Sequence, residues 1–182
     1  MNREKIIKKA LYKLNSNKFW KTINWKLAGA YDPNEDYSGK YMTAFYFEDD
    51  KGIPYCHCTH KYLGEMDPKK LPEIIKIIDE YMQDVPKKER TWVFDKYEVF
   101  GEEKDTPVMR RKETKDMLLG LKEDLDKIIE DKWKTYKPHI TLGQKIEDLS
   151  EEKKKTPLVM KPTCLALVEG DKKLKEWSLV KN

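Results

Sequence analysis

Apolar positions along this chain switch between two periods. Recurrence every three or four residues predicts a helix, and alternation predicts a strand. Ile6, Ile7, Ala10, Leu11 and Leu14 have helical spacing with lysines on the other face, and Asn15-Ser16-Asn17 ends the run. Trp20, Trp25 and the run Lys26 to Tyr31 read as a strand before a turn at Asp32-Pro33-Asn34. Tyr41 to Phe47 is an aromatic-rich strand. Asp49-Asp50-Lys51-Gly52 turns the chain into another strand near Tyr55, so a hairpin is expected. Leu71, Ile74, Ile75, Ile78 and Met82 trace a helix that Asp67-Pro68 starts and Asp84-Val85-Pro86 stops, with Pro72 awkward in its first turns. Arg90 to Phe100 reads as one strand ending at Gly101, and Thr106 to Arg111 as a second. Met117, Leu121, Leu125, Ile128 and Ile129 form one helical face. A strand at Tyr136 to Gly143 follows, Glu151 to Lys155 reads as a charged surface turn, and Thr163 to Val168 and Glu176 to Val180 read as closing strands.

A strand-helix-strand unit thus occurs twice within 182 residues. The expected class is α+β: two sheets facing each other, helices outside, in one domain or two small lobes sharing one core over 1–182. Composition supports a packed core, since 38% of residues are hydrophobic and 11% aromatic. Lys plus Arg exceed Asp plus Glu by 37 − 33 = 4, which suits an anionic substrate but not a protein that coats nucleic acid. No run of eighteen apolar residues and no signal-peptide core are seen, so a soluble, cytoplasmic protein and no membrane partner are expected. The odd cysteine count (Cys56, Cys58, Cys164) fits a reducing compartment. Cys56, Cys58 and His60 share a strand face, yet they lack the distant second ligand cluster of a zinc site. No metal is expected there, and packing against a helix is the simpler reading.

The chemistry concentrates in two strands that echo each other. His57-Cys58-Thr59-His60-Lys61-Tyr62-Leu63-Gly64 and Pro138-His139-Ile140-Thr141-Leu142-Gly143 each carry His-x-Thr followed by Leu-Gly. Residues two apart share a strand face, so His57 lies beside Thr59 and His139 beside Thr141, while Ile140 and Leu142 face a core. Two of the chain's three histidines occupy these matched positions. An imidazole beside a hydroxyl, presented twice, suits a phosphate attacked on one side and left on the other. The plainer reading, core histidines beside threonines favoured in strands, has to explain that match. By the same alternation Lys61 and Lys137 fall beside these pairs as phosphate contacts, or else are ordinary surface lysines. Tyr136 is a further candidate for substrate contact, unranked against Tyr12 and Trp92. Arg110-Arg111 could touch a polyanion, although an exposed pair of arginines is usually only solvated surface.

These motifs resemble the paired signatures of the 2H phosphoesterase superfamily, which includes 2′-5′ RNA ligase-like proteins and cyclic phosphodiesterases. Proline before the second histidine matches too, and the resemblance covers roughly residues 40–180, with 1–39 an N-terminal helix and strand. His60 departs from it, since an apolar residue is usual there. The resemblance implies a bilobal fold with both motif strands on a cleft floor. It implies a cofactor-free, metal-independent hydrolysis of a cyclic or 2′-hydroxyl-adjacent phosphodiester in a nucleotide, cyclic oligonucleotide or RNA end. His57 and His139 would be acid and base, and Thr59 and Thr141 would bind the phosphate oxygens. A monomer is expected. Viral relatives destroy nucleotide signals of host immunity, which would place such an enzyme in the host cytoplasm. The alternatives are a non-catalytic RNA- or nucleotide-binding module, and a 2′-5′ ligase-type activity running the hydrolysis backwards.

Overall fold

The computed structural model describes residues 38–48, 57–100, 106–111, 118–130, 136–143, 146–170 and 172–181. The expected N-terminal helix and strand, Tyr12, the turn at Asp49 to Gly52, Cys56 and Met117 lie outside these residues.

Strands β1 (Lys40–Phe47) and β2 (His57–Glu65) pair antiparallel, as the aromatic-rich run and the first motif predict. Helix α1 (Leu71–Asp84) follows, and its start resolves the conflict over Pro72. Asp67 caps a single 3-10 turn, Pro68–Lys70, by accepting from the Lys69 amide at 2.9 Å. Pro72 then falls in the first turn of α1, where a missing N–H leaves no hydrogen bond unmade. Next come β3 (Trp92–Phe94), β4 (Lys96–Phe100), β5 (Thr106–Arg110), α2 (Leu119–Asp126) and β6 (His139–Thr141). The chain ends through α3 (Glu151–Lys155), β7 (Leu158–Met160), β8 (Pro162–Glu169) and β9 (Lys172–Ser178).

The strands form a four-stranded sheet β2-β1-β8-β9, a three-stranded sheet β4-β5-β6 and a short pair β3-β7, every pairing antiparallel. This is the expected α+β class, with departures in detail: the last strand runs Lys172–Ser178 rather than Glu176 to Val180, β7 was not expected, and two further segments differ. Arg90 to Phe100 is two strands rather than one: at Asp95 the chain leaves β7, and the Asp95 amide donates to the Arg110 carbonyl at 3.0 Å. Glu151 to Lys155 is a helical turn rather than an irregular one. The Ser150 hydroxyl accepts from the Lys153 amide at 3.3 Å, with Glu151 and Glu152 in the first turn and three lysines in the last, as the helix dipole favours.

One core unites these layers. Phe45, Cys58, Leu63, Leu165 and Leu167 supply the inner face of the large sheet, Met109 and Ile140 that of the three-stranded sheet, and Ile74, Ile78, Leu121 and Leu125 the helices. Gly120 admits the Tyr81 side chain between the helices, since a Cβ there would stand 2.9 Å from its hydroxyl oxygen. Asp79 ties α1 to β9, accepting from Lys175 Nζ at 2.7 and 2.8 Å and from Trp177 Nε1 at 2.7 Å. The outer faces of β2 and β6 are left to carry chemistry.

Candidate active site

The pairing register shows which side chains β2 presents. His57 stands opposite Tyr46 and Thr59 opposite Ala44, on the face away from buried Cys58. Thr43 then pairs with Lys61, so the register skips His60 as the extra residue of a bulge. Such a bulge re-aims the side chains that follow it. Lys61 therefore turns to the buried face beside His60, not to the face of Thr59 as simple alternation predicts. It is 1% exposed, and its ammonium pairs with Asp126 of α2, a carboxylate that Lys122 also reaches at 3.3 Å. Lys61 is thereby removed from the set of phosphate contacts. A second bulge at Leu63 precedes Gly64, whose φ of 66° lies in the left-handed region that favours glycine.

His60 is buried, and both its ring nitrogens are occupied. Nε2–H donates to the Leu118 carbonyl at 2.9 Å, so Nδ1 accepts from the Thr43 hydroxyl at 3.0 Å in the neutral ring. Among the described residues no three His, Cys, Asp or Glu side chains gather as a metal-binding group.

The second motif occupies the edge of the three-stranded sheet. Ile140 is fully buried and Leu142 half-buried against the same core, on the side expected for them. His139 and Thr141 face the other way, and their cross-strand neighbours on β5 are Arg110 and Val108. The His139 Nδ1–H donates to the Lys137 carbonyl at 2.7 Å, which turns Nε2 outward, and the Phe100 ring packs edge-on at 4.8 Å. Lys137 is exposed at the rim, its ammonium 5.8 Å from the Phe100 ring. Tyr136 does not join this face: its ring packs against His60, at 6.4 Å, and so belongs to the buried side of β2.

β2 and β6 touch, and the two motif histidines sense each other. Burial, and then the proximity of His139, push the His57 pKa down from 6.5 to about 4. His139 is also lowered, first by burial and further by Arg110, while the Lys137 carbonyl and Glu98 act in the opposite direction. The hydroxyls beside them are uncommitted. Among the described residues the Thr59 hydroxyl reaches only the Met42 sulfur, at 3.9 Å, and the Thr141 hydroxyl makes no hydrogen bond.

Two groups of neighbours escaped the sequence reading. Arg110, Glu98 and Lys96 flank His139 on β4 and β5. On the His57 side, the Tyr46 ring lies 5.9 Å from the imidazole with Lys173 Nζ 3.9 Å over it, and Lys173 also meets Glu176 at 2.8 Å. Burial, Cys164 and Glu176 push the Tyr46 hydroxyl pKa upward, so it stays protonated. Cross-strand pairing brings these groups to the two histidines, and no local spacing announces it.

The chain matches no protein-family model and no curated protein. Solved structures do match. TT0787 of Thermus thermophilus superposes with a TM-score of 0.53 at 16% identity, over 77% of this chain and 97% of the other. E. coli LigT, crystallised with 3′-AMP, superposes with a TM-score of 0.53 at 14% identity, over 79% and 99%. The fold is that of the LigT-like 2H phosphoesterases. A further structure, described as a phosphoesterase, gives 0.51 at 14% identity over 79% and 99%. Such identities establish the LigT-like fold and nothing finer. Among the described residues, no helix is long and apolar enough to cross a membrane.

Proposed function

We propose that this protein hydrolyses a phosphodiester, cyclic or next to a ribose 2′-hydroxyl, in a nucleotide, a cyclic oligonucleotide or an RNA end. The observation that carries the reading is the juxtaposition of two imidazoles, each beside an uncommitted threonine hydroxyl, on touching strands. His57 takes a proton from the attacking water and His139, through Nε2, gives one to the leaving oxygen. Each such transfer is worth roughly 10²- to 10⁴-fold in rate. Thr59 and Thr141 donate to the non-bridging oxygens as charge builds on them. The chemistry asks for no metal or cofactor, because acid, base and oxyanion donors are all side chains. The LigT-like fold adds a nucleotide precedent, since LigT was crystallised with 3′-AMP.

The test is a panel of cyclic mono-, di- and oligonucleotides and RNA ends, incubated with and without EDTA and resolved by chromatography. Hydrolysis of at least one member, unaffected by EDTA, is the expected result. Nucleotide binding without turnover of any member would make the protein a binding module instead.

A further inference from the structure

The face that carries His139 and Thr141 continues across β5 and β4. Register places Arg110 opposite His139 and Lys96 opposite Arg110, and in the next row Thr141, Val108 and Glu98 stand abreast. Arg110 does not extend along its own row. Its Nη1 donates to both Glu98 oxygens, at 2.8 Å each, and Lys96 holds the same carboxylate at 2.6 Å. The guanidinium is thus drawn diagonally across the face, from the row of His139 to that of Thr141. Val108, in the second row between Thr141 and Glu98, is fully buried although it is on this outer face, as a covering arginine stem would leave it. Adjacent strands lie about 4.8 Å apart, so the Arg110 backbone is one strand from His139, while its guanidinium leans toward β4 and still acts electrostatically on His139.

Its hydrogen bonding is incomplete. One nitrogen makes both Glu98 bonds, and Nε is buried with no acceptor. Guanidinium is a planar fork of five donors suited to bidentate recognition of phosphate. Two cations held by one carboxylate also leave this wall net positive. We propose that Arg110 contacts the substrate's phosphate on the His139–Thr141 side, and that Glu98 is the positioning residue that aims it. The substrate rests on the phosphodiesterase reading, but anion binding can be measured without turnover. A purely structural cross-strand ion pair is the competing account.

The experiment titrates inorganic phosphate into wild type, Arg110→Gln, Arg110→Lys and Glu98→Gln by calorimetry, with thermal melting as the fold control. On diester substrates, kcat, KM and the pH profile of kcat/KM are measured for the same four proteins. Arg110→Gln is expected to weaken phosphate binding at least tenfold and to raise KM more than it lowers kcat, with partial recovery in Arg110→Lys. It should also raise the alkaline limb of the profile, because Arg110 opposes a protonated His139, and Glu98→Gln should lower that limb. Glu98→Gln keeps the cation but misdirects it, so phosphate binding should weaken several-fold. Undetectable phosphate binding by wild type, or equal binding by wild type and Arg110→Gln, overturns the proposal. So does loss of thermal stability with affinity and pH limbs unmoved. Arg110-dependent phosphate binding with no diester turnover would instead retain this contact and reject the phosphodiesterase reading.

Discussion

His57 and His139 reach the cleft with different electrostatic surroundings. Burial and the neighbouring His139 favour a neutral His57, whereas the Lys137 carbonyl and Glu98 favour a protonated His139. A phosphodiester brings a negative charge between them and draws a proton onto the ring better equipped to hold it. Under the proposed function, this would make His57 the base and His139 the acid. Because kcat/KM reports the free enzyme, its profile should rise as pH climbs through about 4, where His57 loses its proton. It should fall again below the ordinary histidine value of about 6.5, as His139 deprotonates. The result is an acidic optimum, and a pH series of kcat/KM checks it. A nitrophenyl diester, whose leaving group needs no proton, separates the roles: His139→Ala should keep much of its activity there and His57→Ala should not. The reverse outcome would exchange the assignments. Thr59→Ala and Thr141→Ala should each add about 2–4 kcal/mol to the barrier, measured as kcat, if each loses one hydrogen bond to the charged phosphate. These four residues were legible in the sequence because His-x-Thr is a period-two pattern that reports its own face. Arg110, read only as part of an arginine pair that could touch a polyanion, and Glu98 were not placed there, since only the β4-β5-β6 register brings them to His139.

At the scale of elements, alternation predicts β2 correctly as far as Thr59 and fails at His60, where the bulge inserts a residue. No residue type in that stretch signals the bulge, so Lys61 was expected on the wrong face. Its real setting makes a prediction of its own. Removing Asp126 leaves a buried ammonium without its main counter-charge, and Asp126→Ala should lower stability by about 3–5 kcal/mol in urea denaturation. Lys61→Met should cost far less, because it removes charge and desolvation together, and it should leave diester turnover intact. Loss of turnover in a folded Lys61→Met protein would return this lysine to the site. The helix α3 was legible and overlooked: Ser150 followed by two glutamates and three lysines has the cap and dipole order of a helix start. Splitting of the run Arg90 to Phe100 was not, since Asp95 changes partner strands without any glycine or proline to mark the switch.

For the molecule as a whole, the α+β class follows from the order of helices and strands, and the cleft was implied only by the resemblance that the repeated motif carries. The division of labour between core and outer faces then sets a pH dependence of stability. The His57 pKa is depressed in the fold, so the unfolded chain binds the extra proton. Stability is complete above the unfolded value near 6.5 and declines as pH falls towards about 4, by roughly 2–3 kcal/mol from this residue. Urea titrations at pH 7.5 and 4.5 should show that decline in wild type and a smaller one in His57→Gln. The central claim is that the two motifs act as one acid-base unit on a phosphate. It is tested most directly by following a nucleoside 2′,3′-cyclic phosphate in EDTA by chromatography with wild type, His57→Ala, His139→Ala and the double variant. Ring opening by wild type, a loss of at least about 100-fold in each single variant with the fold intact by circular dichroism, and a double variant scarcely worse than either is the predicted result. Single variants that open the ring at the wild-type rate, or losses that multiply in the double variant, would contradict it.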